Sequence, residues 1–138
     1  MASNEVISEF VQAKDVATYR QMLTDGSITN IDVIDSSTDD DYTALMYQSQ
    51  HGTPDMIEFL LTWATPASID LQNKDGKTAL HYAAYNDKPD NISLLLEHGA
   101  DRSMRTHKEG QTPVSLAMSK NHKECVRLLV KGPAGKTR

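Results

Sequence analysis

The sequence has almost no cysteine: Cys125 stands alone among 138 residues, which excludes an intramolecular disulfide and fits a reducing compartment, the cytoplasm and also the nucleus. Long apolar runs are missing too. The opening MASNEVISEF has no basic stretch followed by an apolar core, and no later segment approaches the ~18 apolar residues of a membrane span. Neither a signal peptide nor contact with a membrane is expected. Positive charge is in deficit, with 14 Lys and Arg against 19 Asp and Glu and a formal net charge of −5. General nucleic-acid affinity needs clustered positive charge that displaces counterions, so nucleic acid is not an expected partner, although a local basic patch fits within that sum.

The ingredients of catalysis are equally scarce. His51, His81, His98, His107 and His122 are scattered, and no two have the i, i+4 spacing and carboxylate neighbour of a zinc helix. Gly135-Lys136-Thr137 invites comparison with a phosphate loop, but Val130 stands where that motif needs its first glycine. Asp39-Asp40-Asp41 lacks the wider ligand set and turn glycine of a calcium loop, and reads as a solvated acidic tip. Cys125 has only Lys123 and Arg127 as basic neighbours, weak activation for a thiol, and is expected to be packed. With no nucleophile–base pair, carboxylate pair or cofactor loop, the expectation is no enzyme, no cofactor, no metal and no small-molecule substrate.

What the chain does contain is a repeated grammar. Charged residues at 24% and hydrophobic residues at 38% describe an ordinary soluble domain, long enough for one core. The stretch from Asp75 to Asp101 holds a turn, a short helix, a second turn, a longer helix and a glycine stop within about thirty residues. Asp75-Gly76 signals a chain reversal, and Thr78 sits at a helix N-cap. Leu80, Ala83 and Ala84 give a narrow apolar face whose alanines admit a close neighbour. Lys88-Pro89 breaks this helix and starts the next, since proline suits a first helical position. Ile92, Leu95 and Leu96 supply the second buried face, and Gly99 ends it in the left-handed conformation.

The run Gly76-Lys77-Thr78-Ala79-Leu80-His81-Tyr82-Ala83-Ala84, followed by Leu95-Leu96 and Gly99-Ala100-Asp101, closely resembles an ankyrin repeat. The same grammar recurs 35 residues earlier at Thr43-Ala44-Leu45-Met46 (78 − 43) and 34 residues later at Thr112-Pro113-Val114 (112 − 78). In the earlier unit Asp41 replaces the turn glycine, Met46 the histidine and Gln48-Ser49 the alanine pair. Buried polar groups need partners, so this unit is either looser or specifically wired. Residues 5–35 keep the helix faces, Ile7-Phe10-Val11 and Tyr19-Met22-Leu23, without the turn motif, as suits a terminal capping unit. Ile31-Asp32-Val33 and Ile69-Asp70-Leu71 read as arms of extended fingers. Trp63 reads either as a contact anchor or, preferentially, as a partly buried packing residue under a loop lengthened by about two residues against the usual period.

The resemblance implies an all-α ankyrin-repeat solenoid of stacked helix pairs with β-hairpin-like finger loops, with repeats over 5–35, 39–70, 73–104 and 107–132 and a flexible tail over 133–138. It implies that His81 makes structural hydrogen bonds to the finger backbone. It also implies a non-enzymatic protein-interaction module, an adaptor or stoichiometric inhibitor, monomeric when free, that binds a partner protein on its concave face. Carried over position by position, the candidate contacts are Asp39, Asp40, Tyr42, Gln50 and His51 in the second unit. The third unit supplies Lys74, Asp75, Lys77, Tyr85 and Asn86, and the last supplies Lys108, Glu109, Gln111, Ser119 and Lys120. Tyr42 and Tyr85 are the expected hot spots, because tyrosine offers a large contact area with a polar end. The set runs from acidic at Asp39 to lysine-rich beyond Lys74. A different class of function uses its acidic end: a dedicated chaperone or assembly factor shielding a basic client, with strongly salt-dependent binding.

Overall fold

In the computed structural model, residues 2–37, 39 and 41–132 are described. They form nine helices: α1 (Asn4–Val11), α2 (Val16–Thr24), α3 (Ala44–His51), α4 (Pro54–Trp63), α5 (Pro66–Ile69), α6 (Ala79–Tyr85), α7 (Pro89–Glu97), α8 (Pro113–Ser119) and α9 (Lys123–Lys131). Asp40 and the 133–138 tail, with its Gly135-Lys136-Thr137, lie outside the described residues.

Local chemistry starts and stops these helices. The Thr78 hydroxyl accepts from the His81 N–H, and the Thr78 N–H donates to His81 Nδ1 at 3.0 Å, so two of the donors at the helix start are satisfied reciprocally. Thr112 and Ser115 repeat this arrangement on α8. Thr43 caps α3 through its hydroxyl alone, because Met46 cannot reach back. Proline opens α4 and α7. Past α7 the Ala100 N–H donates to Leu95 O and the Gly99 N–H to Leu96 O, with Gly99 at φ +93°. This paired closure is the glycine stop expected of the sequence.

The helices pair and stack in two rows. α1, α3, α6 and α8 pack successively as an inner row, and α2, α4, α7 and α9 as an outer row. One apolar core runs through the stack from Phe10 to Leu129. Ala83 and Ala84 are both fully buried, and their small side chains let α6 lie between α3 and α8. Burial of Ile57, Leu60, Ile92 and Leu95, all at 0% exposure, contributes about 1.5–3 kcal/mol for each side chain. Arg102 closes the last unit by donating from its guanidinium to the terminal carbonyls of α9, Leu129 O at 2.7 Å and Val130 O at 2.9 Å.

The second unit is specifically wired at Gln48, whereas the hydroxyl of the buried Ser49 has no hydrogen-bond partner. Gln48 Nε2 donates to Ala13 O and to the Tyr19 hydroxyl, both at 2.8 Å, and Tyr19 donates onward to Val11 O. A buried amide thus joins α3 to the first unit where the third unit uses alanine. Gly52 has ordinary extended backbone, φ −93°, and is required for space: a Cβ there would lie 2.1 Å from Gln48 Oε1. Asp41 adopts φ +57° where the neighbouring units have Gly76 at +82° and Gly110 at +63°, so the departure in sequence leaves the turn geometry intact.

Two expectations are corrected. Ile31-Asp32-Val33 and Ile69-Asp70-Leu71 are not strand arms: Ile31 and Asp32 form a turn, and Ile69 ends α5. Thr65 and Ser68 cap each other's backbone and turn the inserted loop into a short helix, and Ser68 Oγ donates to Asp32 across the units at 2.8 Å. Trp63 is 46% exposed, more open than a packed residue beneath the inserted loop.

Candidate protein-interaction face

Each finger is rooted on a buried polar residue. The Asp35 N–H donates to Tyr42 O, the Asn73 N–H to Lys77 O and the Thr106 N–H to Gln111 O, at 2.7, 3.0 and 2.9 Å. These closures are hairpin-like without forming strands among the described residues. The root side chains then hold the turns: Asp35 Oδ1 accepts from Ser37, Asn73 Oδ1 from the Asp75 and Lys77 N–H groups, and Thr106 Oγ1 from the Gln111 N–H. Burial raises the Asp35 pKa, but hydrogen bonds from Ser37, Gln12 and Ser8 outweigh it and keep the carboxyl below its usual range.

The third and fourth fingers are tied together. His107 donates its N–H to Asp75 O at 2.9 Å and its Nδ1 proton to Lys74 O at 3.1 Å, while Gln72 Nε2 reaches Arg105 O at 2.9 Å. His81 adds a link from below. Its Nδ1 accepts from Thr78, so the ring proton sits on Nε2 and is donated to Gln111 O at 2.9 Å. Burial lowers the His81 pKa from its ordinary 6.5, in spite of the opposing Gln111 bond, and Lys77 acts in the same direction as burial. The neutral ring therefore serves as a structural bridge.

Above this scaffold, Gln50, Lys77, Tyr85, Glu109 and Gln111 gather around one cavity of about 330 Å³, completed by His81, Tyr82 and Leu116. Tyr85 is 45% exposed, and the Lys120 ammonium lies 4.7 Å from the centre of its ring. Asn86 donates to Gln50 Oε1 at 3.2 Å, and Gln50 donates to the Tyr42 hydroxyl at 2.9 Å and contacts His51 Nε2 at 2.8 Å. Residues from the second and third units therefore share one polar network at the cavity's edge.

Other candidates fall elsewhere. Asp39, Lys74, Asp75 and Lys108 are exposed on the fingers without lining the cavity, and Ser119 returns its hydroxyl to Leu116 O. The expectation that Tyr42 stands open as a partner to Tyr85 is corrected: it is 9% exposed, with ring contacts to Tyr47 at 5.7 Å and Tyr82 at 5.3 Å. An aromatic seam between the inner helices takes up that ring. Tyr82 and Leu116, absent from the sequence-based candidates, form the apolar wall. Their signal is positional, because Tyr47, Tyr82 and Leu116 occupy one repeat position at spacings of 35 (82 − 47) and 34 (116 − 82).

The Cys125 thiol is fully buried 3.5 Å from Asp87 Oδ1, and burial first, then the Asp87 carboxylate, push its pKa up to about 12. It stays protonated and shielded. Among the described residues no group of three His, Cys, Asp or Glu is placed to hold a metal ion, and no helix is long and apolar enough to cross a membrane.

A family model described as ankyrin repeats in three copies matches residues 9–105 and, in a second register, 45–137. Comparison with curated proteins finds no significant match. Ankyrin repeats are generally protein–protein interaction modules and typically non-enzymatic. The TALH capping pair, the close-packed alanines, the glycine-stopped outer helices and the family match agree: the chain belongs to the ankyrin-repeat family.

Proposed function

We propose that this protein is an adaptor or stoichiometric inhibitor that binds a partner protein on the face formed by its fingers and inner helices. The supporting observation is convergence: three units each send side chains to one cavity, where Tyr85 stands 45% exposed. Tyrosine on a rigid helix, backed by buried neighbours, loses little conformational freedom on binding. A reducing compartment, cytoplasm or nucleus, is part of this proposal, supported by the single buried thiol.

The test is capture from a native lysate by wild-type protein and by Tyr85→Ala, with washes at low and moderate salt. The expected result is a stoichiometric partner that survives the higher salt and binds the variant roughly 1–2 kcal/mol more weakly. Equal affinity for both proteins, with the fold intact by circular dichroism, rejects this face. A basic client lost on raising the salt and released by substitution of Asp39 and Asp41 would instead favour the chaperone reading.

A further inference from the structure

Charge divides the proposed face into two parts. Residues 35–51 carry four Asp and no Lys or Arg, whereas residues 74–86 and 105–120 carry five basic residues, Lys74, Lys77, Arg105, Lys108 and Lys120, against Asp75 and Glu109, for a sum of +3 (5 − 2). The whole chain sums to −5, so this is a positive island on an acidic protein. All seven charged residues are exposed or half-buried. The island also contains the cavity: every lining residue except Gln50 comes from these two stretches.

The cavity's chemistry narrows what enters it. Its volume of about 330 Å³ is near the lower end of ligand pockets, roughly 300–1,000 Å³, and its apolar walls are the Tyr82 and Tyr85 rings and Leu116, with Gln50, Lys77, Glu109 and Gln111 around them. The ring nitrogens of His81 are committed to Thr78 and Gln111, so the floor offers no free donor to a polar group. Cations stand over the rings that form the walls: Lys77 Nζ lies 5.7 Å from the centre of Tyr82, and Lys120 Nζ 4.7 Å from the centre of Tyr85. An apolar side chain can therefore fill the cavity while carboxylates on either side of it meet ammonium groups.

We propose that the cavity receives an apolar side chain from an acidic segment of the partner protein, whose flanking carboxylates pair with Lys77 and Lys120 at the rim and with Lys108 and Lys74 on the fingers. This inference rests on the face assigned above and adds the chemical class of its partner. Buried aromatic contact supplies affinity, and the complementary charge orients the segment and rejects basic competitors.

A random-peptide display library panned against the full chain tests it, followed by anisotropy measurements with the enriched peptides. The expected consensus has one aromatic or aliphatic residue flanked by Asp or Glu. Its affinity falls tenfold or more with Lys77→Glu/Lys120→Glu and with Tyr85→Ser, and changes less than twofold with Asp39→Lys/Asp41→Lys, circular dichroism confirming each fold. A neutral or basic consensus still sensitive to Tyr85→Ser overturns the acidic partner and leaves the face standing. Peptides insensitive to every substitution, or no enrichment, overturn both.

Discussion

The second and third units build the same helix pair with different chemistry. In the third, Gly76 makes the turn, His81 bridges the N-cap to the next finger, and two alanines allow close packing. In the second, Asp41 takes the left-handed turn, Met46 is 2% exposed at the histidine position, and Gln48 replaces an alanine while binding the first unit. His81 ties the third unit forward, to the fourth finger, whereas Gln48 ties the second backward, to a capping unit that lacks a finger of its own. A repeat position is thus defined by the space and partners that its neighbours offer, and an amide with two acceptors in reach fills it as well as a methyl group does.

The largest expected effect comes from Gly76→Ala. Its left-handed backbone disfavours any side chain, and a Cβ there would lie 2.5 Å from His107 N, so the tie between the third and fourth fingers must open. The expected loss is about 3 kcal/mol, measured by urea unfolding. A loss below about 1 kcal/mol would show that the finger tie is not integral to the stack.

Gln48→Leu should cost about 2 kcal/mol, because Ala13 O loses a donor and the buried Tyr19 hydroxyl loses one partner. Its amide-exchange signature should fall on α1 and α2 and spare α8. Equal weakening at both ends would mean that Gln48 acts through general packing.

The gentlest test uses pH. The His81 pKa is lowered on folding, so its contribution is fully present above the unfolded value near 6.5 and is lost as pH falls from there toward the folded value, while the unfolded chain takes up a proton that the native ring refuses. Exchange protection of residues 78–84, corrected for intrinsic rates, should decline over that window relative to residues 43–49, where Met46 has nothing to titrate. Asp35, lowered from 3.8, contributes stability above that value and loses it only at lower pH. Parallel decline in both stretches above pH 5 would remove His81 as the cause.

The sequence alone determined the repeat, because its signals are local. A threonine cap, a proline at the first helical position, a glycine past the last, and apolar residues at helical spacing act within a few residues of themselves. It also indicated most of the cavity's rim, since Gln50, Lys77, Tyr85, Glu109 and Gln111 follow from their places in the unit. Tertiary structure decided what depends on residues far apart in the chain. It buried Tyr42 against Tyr82, gave Gln48 its partners 29 and 35 residues away, and left Trp63 open beside an inserted helix. It also brought Gln50, Tyr85 and Gln111 to one cavity, since neighbouring units meet only when their inner helices stack.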